Sequence, residues 1–168
     1  MSDPSRSLEP LRLAFDVRCT AADAFDVWTS KISTWWPTAH TITGDSDAEI
    51  VIEPQVGGRI FERAPGGEEY DWGSVTVWDP PAQFGYRWHI TSPPSEATVV
   101  DVRFTARRDG TTLVEIEHSG FEALGARGFA RRADNLVGWR ELIPLFIDAC
   151  AGASESEQTE NRAETGAH

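Results

Sequence analysis

Sulfur is scarce in this sequence: its 168 residues include two cysteines and one methionine. Cys19 and Cys150 stand near opposite ends of the chain, so their spacing suggests neither a disulfide framework nor a paired metal site. No apolar run is long enough to span a bilayer. Met1 to Pro10 is polar and lacks the apolar stretch of a signal peptide. These gaps predict a cytoplasmic protein. Positive charge is also short, since 15 Lys and Arg face 27 Asp and Glu, a formal net charge of -12. A surface of that sign repels phosphate backbones and anionic lipid, so neither nucleic acid nor a membrane is expected as partner.

Strong chemical signatures are missing as well. There is no phosphate loop, no Gly-x-Ser-x-Gly, no His-Glu-x-x-His and no Cys-x-x-Cys. Gly57-Gly58 and Gly66-Gly67 fall at strand turns and read as hairpin glycines. His40, His89 and His118 share no ligand spacing, so neither a metal nor a cofactor is expected.

Tryptophan, by contrast, is plentiful, with seven residues in a chain that is 40% apolar. That composition suits one domain with a sizeable core, and large aromatics both fill cores and line pockets. A flexible leader is expected over 1-9, the domain over 10-150, and an acidic tail over 151-168. The tail is too poor in apolar residues to offset its ordering entropy and is read as disordered.

Within the domain, Leu11, Leu13, Phe15 and Val17 alternate with polar or small residues, the mark of a half-buried strand. Thr20 is placed to cap a helix whose third residue is Asp23. A second short helix spans Lys31 to Trp36 and stops at Pro37. From Glu49 to Ser119 the period is two. Turns fall at Gly57-Gly58, Pro65-Gly66-Gly67, Asp79-Pro80-Pro81 and Asp109-Gly110. Phe129, Ala133, Leu136, Val137, Ile143, Ile147 and Cys150 recur at helical spacing and predict a long last helix, with a kink from Pro144 near Arg140. Antiparallel strands with a segregated helix make an α+β architecture.

This order of elements resembles the START-like, or SRPBCC, superfamily. Within it the chain is similar to bacterial proteins related to the activator of heat-shock-protein ATPase. The resemblance rests on Ala21 to Trp28 followed by Ile32-Ser33-Thr34-Trp35-Trp36-Pro37. It continues through Gly57-Gly58-Arg59, Asp71-Trp72-Gly73-Ser74-Val75, Pro80-Pro81, Ile116-Glu117-His118-Ser119-Gly120-Phe121 and Gly138-Trp139. It implies a helix-grip fold: a curved antiparallel sheet wrapped around a long C-terminal helix, with two short helices after the first strand. It also implies a cavity between sheet and helix that takes a small hydrophobic or aromatic ligand, with no catalysis assigned. The alternatives are a co-chaperone-like interaction module and a cyclase- or hydratase-type enzyme using His118.

The residues expected to line the cavity are Trp35, Trp36, Phe61, Trp88, His118 and Trp139. His118 shares the parity of Val114 and Ile116, which aims it at the concave face. Read without a ligand, it is a satisfied core histidine. His89 has the parity opposite to Trp88 and is expected to face outwards. Trp72 and Trp78 share a parity in their strand. If the valines between them point inwards, the two indoles form an outer aromatic patch suited to a homodimer.

Overall fold

The computed structural model describes residues 8–165, with side chains through Ala153. Residues 1–7 and 166–168 lie outside it, and with the later side chains they take in most of the expected leader and tail. Seven strands form one antiparallel sheet: β1 (Leu11–Val17), β2 (Glu49–Ile52), β3 (Arg59–Arg63), β4 (Glu69–Asp79), β5 (Gln83–Trp88), β6 (Thr98–Ala106) and β7 (Thr112–Ser119). Their order is β1-β7-β6-β5-β4-β3-β2, so the first strand pairs with the last. Helix α1 (Ala21–Trp28) follows β1, and helix α2 (Arg127–Thr165) ends the described chain. Short 3-10 turns at Ile32–Thr34 and Thr38–His40 link α1 to β2. This is the α+β helix-grip architecture expected from the sequence.

Local signals explain most boundaries. The Thr20 hydroxyl accepts from the Asp23 amide at 3.1 Å and caps α1, satisfying one of the orphan donors of its first turn. Gly110 turns the β6–β7 hairpin with φ +86°, a backbone state that glycine enters without a steric penalty. Helix α2 runs through Pro144 and past Cys150, which is where the sequence pattern ends it.

The apolar side of α2 differs from the expected stripe. Trp139, Leu142, Phe146 and Cys150 are its buried members, whereas Val137 is 55% exposed. Phe146 packs at the centre, with ring centroids 4.7 Å from Trp28 and 5.2 Å from Trp35. The two cysteines, so distant in sequence, meet here. A hydrogen bond with Cys19, and burial, push the Cys150 thiol far above its usual range, so it stays un-ionised and unreactive.

Two extra residues in β4 set the curvature next to the helix. The ladder passes from Ile60↔Gly73 to Phe61↔Asp71, and from Val75↔Tyr86 to Val77↔Gly85, leaving Trp72 and Thr76 without direct partners. Each such bulge bends its strand and re-aims a side chain. Trp72, Val75 and Trp78 therefore all join the core cluster. The outer aromatic patch that would favour self-association does not form. His89 is corrected too: it lies beyond the end of β5, where alternation no longer holds, and it is buried with Nδ1 3.2 Å from the Ser92 carbonyl.

Candidate functional site

A cleft of about 300 Å3 opens between the concave face of the sheet and α2. Trp36, Tyr86, Trp88 and Trp139 form much of its wall, and His40, Arg131, Asp134, Asn135 and Glu141 add polar groups. The helix presents this face because Arg131, Asn135, Gly138 and Leu142 recur at three- to four-residue steps. At Gly138 a Cβ would meet no atom within 4 Å. The missing side chain leaves the helix backbone facing the open cleft.

The aromatic wall is mutually braced. The Trp36 ring centroid is 5.7 Å from that of Trp88, and the Tyr86 centroid is also 5.7 Å from Trp88. Burial pushes the Tyr86 phenol well above its ordinary range, although a hydrogen bond from Trp28 works the other way. Trp36 donates its indole N–H to the His40 carbonyl at 3.1 Å, which ties it to the 3-10 turn over the cleft.

The six expected residues divide into three groups. Trp36, Trp88 and Trp139 come together at the cleft. Trp35 and His118 sit behind that wall in the interior. Trp35 is 7% exposed, donates to the Val27 carbonyl at 2.7 Å and packs edge-on or tilted against Trp28 and Phe146. Phe61 is on the other face of the sheet, under the guanidinium groups of Arg59 and Arg63 at 4.3 and 5.3 Å from its ring centroid. That placement follows the alternation of β3, where Arg59, Phe61 and Arg63 share one face and Ile60 and Glu62 the other.

His118 has both ring nitrogens engaged. Trp139 donates its indole N–H to Nδ1 at 3.0 Å, and Nε2 lies 2.7 Å from the Thr98 hydroxyl. An indole can only donate, so Nδ1 is the acceptor and Nε2 carries the proton. Nε2 then donates to Thr98, whose hydroxyl passes its own proton towards the Trp88 carbonyl at 3.4 Å. The relay Trp139–His118–Thr98–Trp88 ties α2 to β7, β6 and β5 and fixes two walls of the cleft. Burial, with a smaller push from Arg131, brings the His118 imidazole down to about 3. It is neutral near pH 7, with no free lone pair.

A second buried polar group shapes the loop beside the cleft. The Glu62 carboxylate accepts from the amides of Ile42 at 2.7 Å and Thr43 at 2.9 Å, from the Thr43 hydroxyl, and from the Trp72 indole at 3.2 Å. Burial alone would raise its pKa, but these donors together bring it below the ordinary carboxylate value. Glu62 thereby holds both the loop after His40 and one of the indoles that stack on Trp36.

Sequence reasoning missed Tyr86, Arg131, Asn135, His40 and Glu141. Tyr86 shares the parity of Phe84 and Trp88, and the helix residues share a face with Gly138, so those could have been found. His40 carries no periodic signal because it lies in a loop. A second, more open hollow of about 460 Å3 lies at the other end of the sheet, against Phe25, Ile52, Trp78, Pro80 and Pro81. Among the described residues no three His, Cys, Asp or Glu side chains gather as metal ligands would. No described helix is long and apolar enough to cross a membrane.

With that geometry in hand, the likenesses to known proteins can be placed. Txn09, an anthrahydroquino-γ-pyrone synthase, is 29% identical over 76% of this chain and 90% of its own, with a TM-score of 0.52. CalC from Micromonospora echinospora, a self-sacrificing resistance protein, is 22% identical over 89% and 96%, with a TM-score of 0.61. MLL2253 from Mesorhizobium loti is 20% identical over 88% and 98%, with a TM-score of 0.58. The last two likenesses concern the fold alone. No curated protein matches the chain in sequence. Residues 18–143, three quarters of the chain, match the model of Activator of Hsp90 ATPase homolog 1-like proteins. This chain belongs to the Activator of Hsp90 ATPase homolog 1-like family and has the helix-grip fold.

Proposed function

We propose that the protein binds a flat aromatic small molecule in the cleft between the sheet and α2. The observation that carries the reading is the convergence of Trp36, Trp88, Trp139 and Tyr86 on one hollow, next to a glycine whose absent side chain leaves it open. Indole and phenol rings offer planar apolar surface at low entropic cost, and a few polar groups at the rim fix orientation. From Arg131 to Glu141 the helix extends about 15 Å, long enough for a fused ring system to lie along it. The likeness to Txn09, an anthrahydroquino-γ-pyrone synthase, supports a fused-ring aromatic ligand over an aliphatic one. His118 is given no catalytic role, because Trp139 occupies its one lone pair.

Gly138→Leu tests this directly. The new side chain would project into the cleft, and replacing a helical glycine favours the fold by up to about 1 kcal/mol. Titration with a tricyclic hydroxyquinone is expected to quench Trp fluorescence of the native protein with one-to-one stoichiometry. Gly138→Leu is expected to lose that binding while keeping or raising the melting temperature. Absence of quenching in the native protein, or equal binding by a well-folded Gly138→Leu variant, would count against the cleft.

A further inference from the structure

We propose that His40, oriented by Glu141, is a general base at the mouth of this cleft, acting on an acidic C–H or O–H of the bound aromatic ligand. The inference rests on the cleft being the binding site. The two side chains come from distant elements, the 3-10 turn Thr38–His40 and helix α2, and both line the cleft. His40 Nε2 lies 2.8 Å from Glu141 Oε2. An ionised carboxylate can only accept, so Nε2 carries the proton and the Nδ1 lone pair is left. Nδ1 has no hydrogen-bond partner among the described residues, on a ring with a side-chain exposure of 28%. That is the arrangement a proton acceptor needs: one nitrogen held by a carboxylate, the other open towards a substrate.

The contrast with His118 sharpens the assignment. His118 is sealed and has its lone pair capped by an indole, whereas His40 is accessible and has its N–H capped by a carboxylate. Glu141 sets the tautomer and stabilises the imidazolium that forms. The other charged or titratable groups lining the cleft are Arg131 and Asp134 on α2 and Tyr86 on β5. In the step itself Nδ1 takes the ligand proton, and the bonding pair stays on the ligand as an enolate or phenolate. The proton is later returned to another ligand atom or lost to water. No oxidant or co-reactant is required.

The test uses 5-nitrobenzisoxazole, a flat aromatic compound that reports proton removal. Nδ1 takes the C3 proton, the C–H pair becomes part of the nitrile, and the N–O bond breaks to leave a coloured cyanonitrophenolate. The expected result is a saturable rate that is suppressed by the tricyclic quinone. His40→Gln is expected to lower it roughly 100-fold, in line with general-base catalysis. The backbone carbonyl that receives Trp36 survives that substitution. Glu141→Gln is expected to lower kcat while leaving the KM for the probe unchanged, because the amide no longer stabilises the imidazolium that forms in the step; loss of a merely structural latch would not fall on kcat alone. Failure of the probe to quench Trp fluorescence would count against the binding site itself. Quenching by the probe with a rate unchanged in His40→Gln, or a Glu141→Gln variant whose kcat equals the native one, would overturn the dyad alone.

Discussion

Burial and the nearby charge of Arg131 hold the His118 imidazole neutral in the folded chain, whereas the unfolded chain leaves it free to protonate. The folded value of about 3 lies below the ordinary 6.5. The stabilisation from this group is therefore complete above pH 6.5 and lost as the pH falls from there towards 3. A single such group gives a slope of about 1.4 kcal/mol per pH unit in that window. Gln at this position can accept from Trp139 and donate to Thr98, but it cannot be protonated. His118→Gln is expected to be less stable at pH 7 and to lose stability less steeply on acidification, as read by urea unfolding between pH 7 and 4.5. Parallel pH curves for the two proteins would contradict the buried neutral histidine. The alternation of Val114, Ile116 and His118 was enough to place this residue on the inner face. That it serves as a brace depends on Thr98 and Trp139, partners 20 and 21 residues away, which no local pattern reveals.

Strand β4 carries more of the architecture than its alternation suggests. Two bulges bring Trp72, Val75 and Trp78 to one face, and Gly73 sits between them against β5. A Cβ there would lie 1.9 Å from the Arg87 carbonyl oxygen, and backbone on both sides leaves no room to yield. Gly73→Val is expected to cost several kcal/mol, at or beyond the upper end of ordinary substitutions, or to prevent folding. An unchanged denaturant midpoint would show that the two strands can separate locally. The same bulges explain what sequence reading could and could not do. In β1, β6 and β7 the period of two is unbroken, and the inner residues were legible. In β4 each extra residue reverses the parity, so the facing of Trp72 and Trp78 could not be read. Phe61 has a different reason: β3 is short and carries apolar residues at the adjacent positions Ile60 and Phe61, so its alternation did not say which of them faces the core, and it is Ile60 that does. In α2 the apolar residues extend around the helix: Val137 and Leu145 are exposed, while Trp139, Leu142 and Phe146 turn inwards. Hydrophobicity alone therefore gave a stripe that was rotated from the true one.

The described residues form a seven-stranded sheet curled against α2 and α1, with a hollow at each end of the concave side's aromatic core. One hollow lies under α2 beside Trp36, Trp88 and Trp139; the other lies against Trp78. The order of strands and helices fixed the scaffold from the sequence. Which hollow binds depends on where α2 presents Gly138 and on how the Thr38–His40 turn meets Glu141, both products of tertiary packing. The seven tryptophans give seven indole N–H resonances, and these report on both hollows at once. The most direct measurement is a 1H–15N spectrum of the native protein titrated with the tricyclic hydroxyquinone. The indole signals of Trp36, Trp88 and Trp139 are expected to shift together and saturate at one equivalent, with that of Trp78 unmoved. Shifts centred on Trp78, or none at all, would contradict the assignment of the cleft under α2 as the binding site.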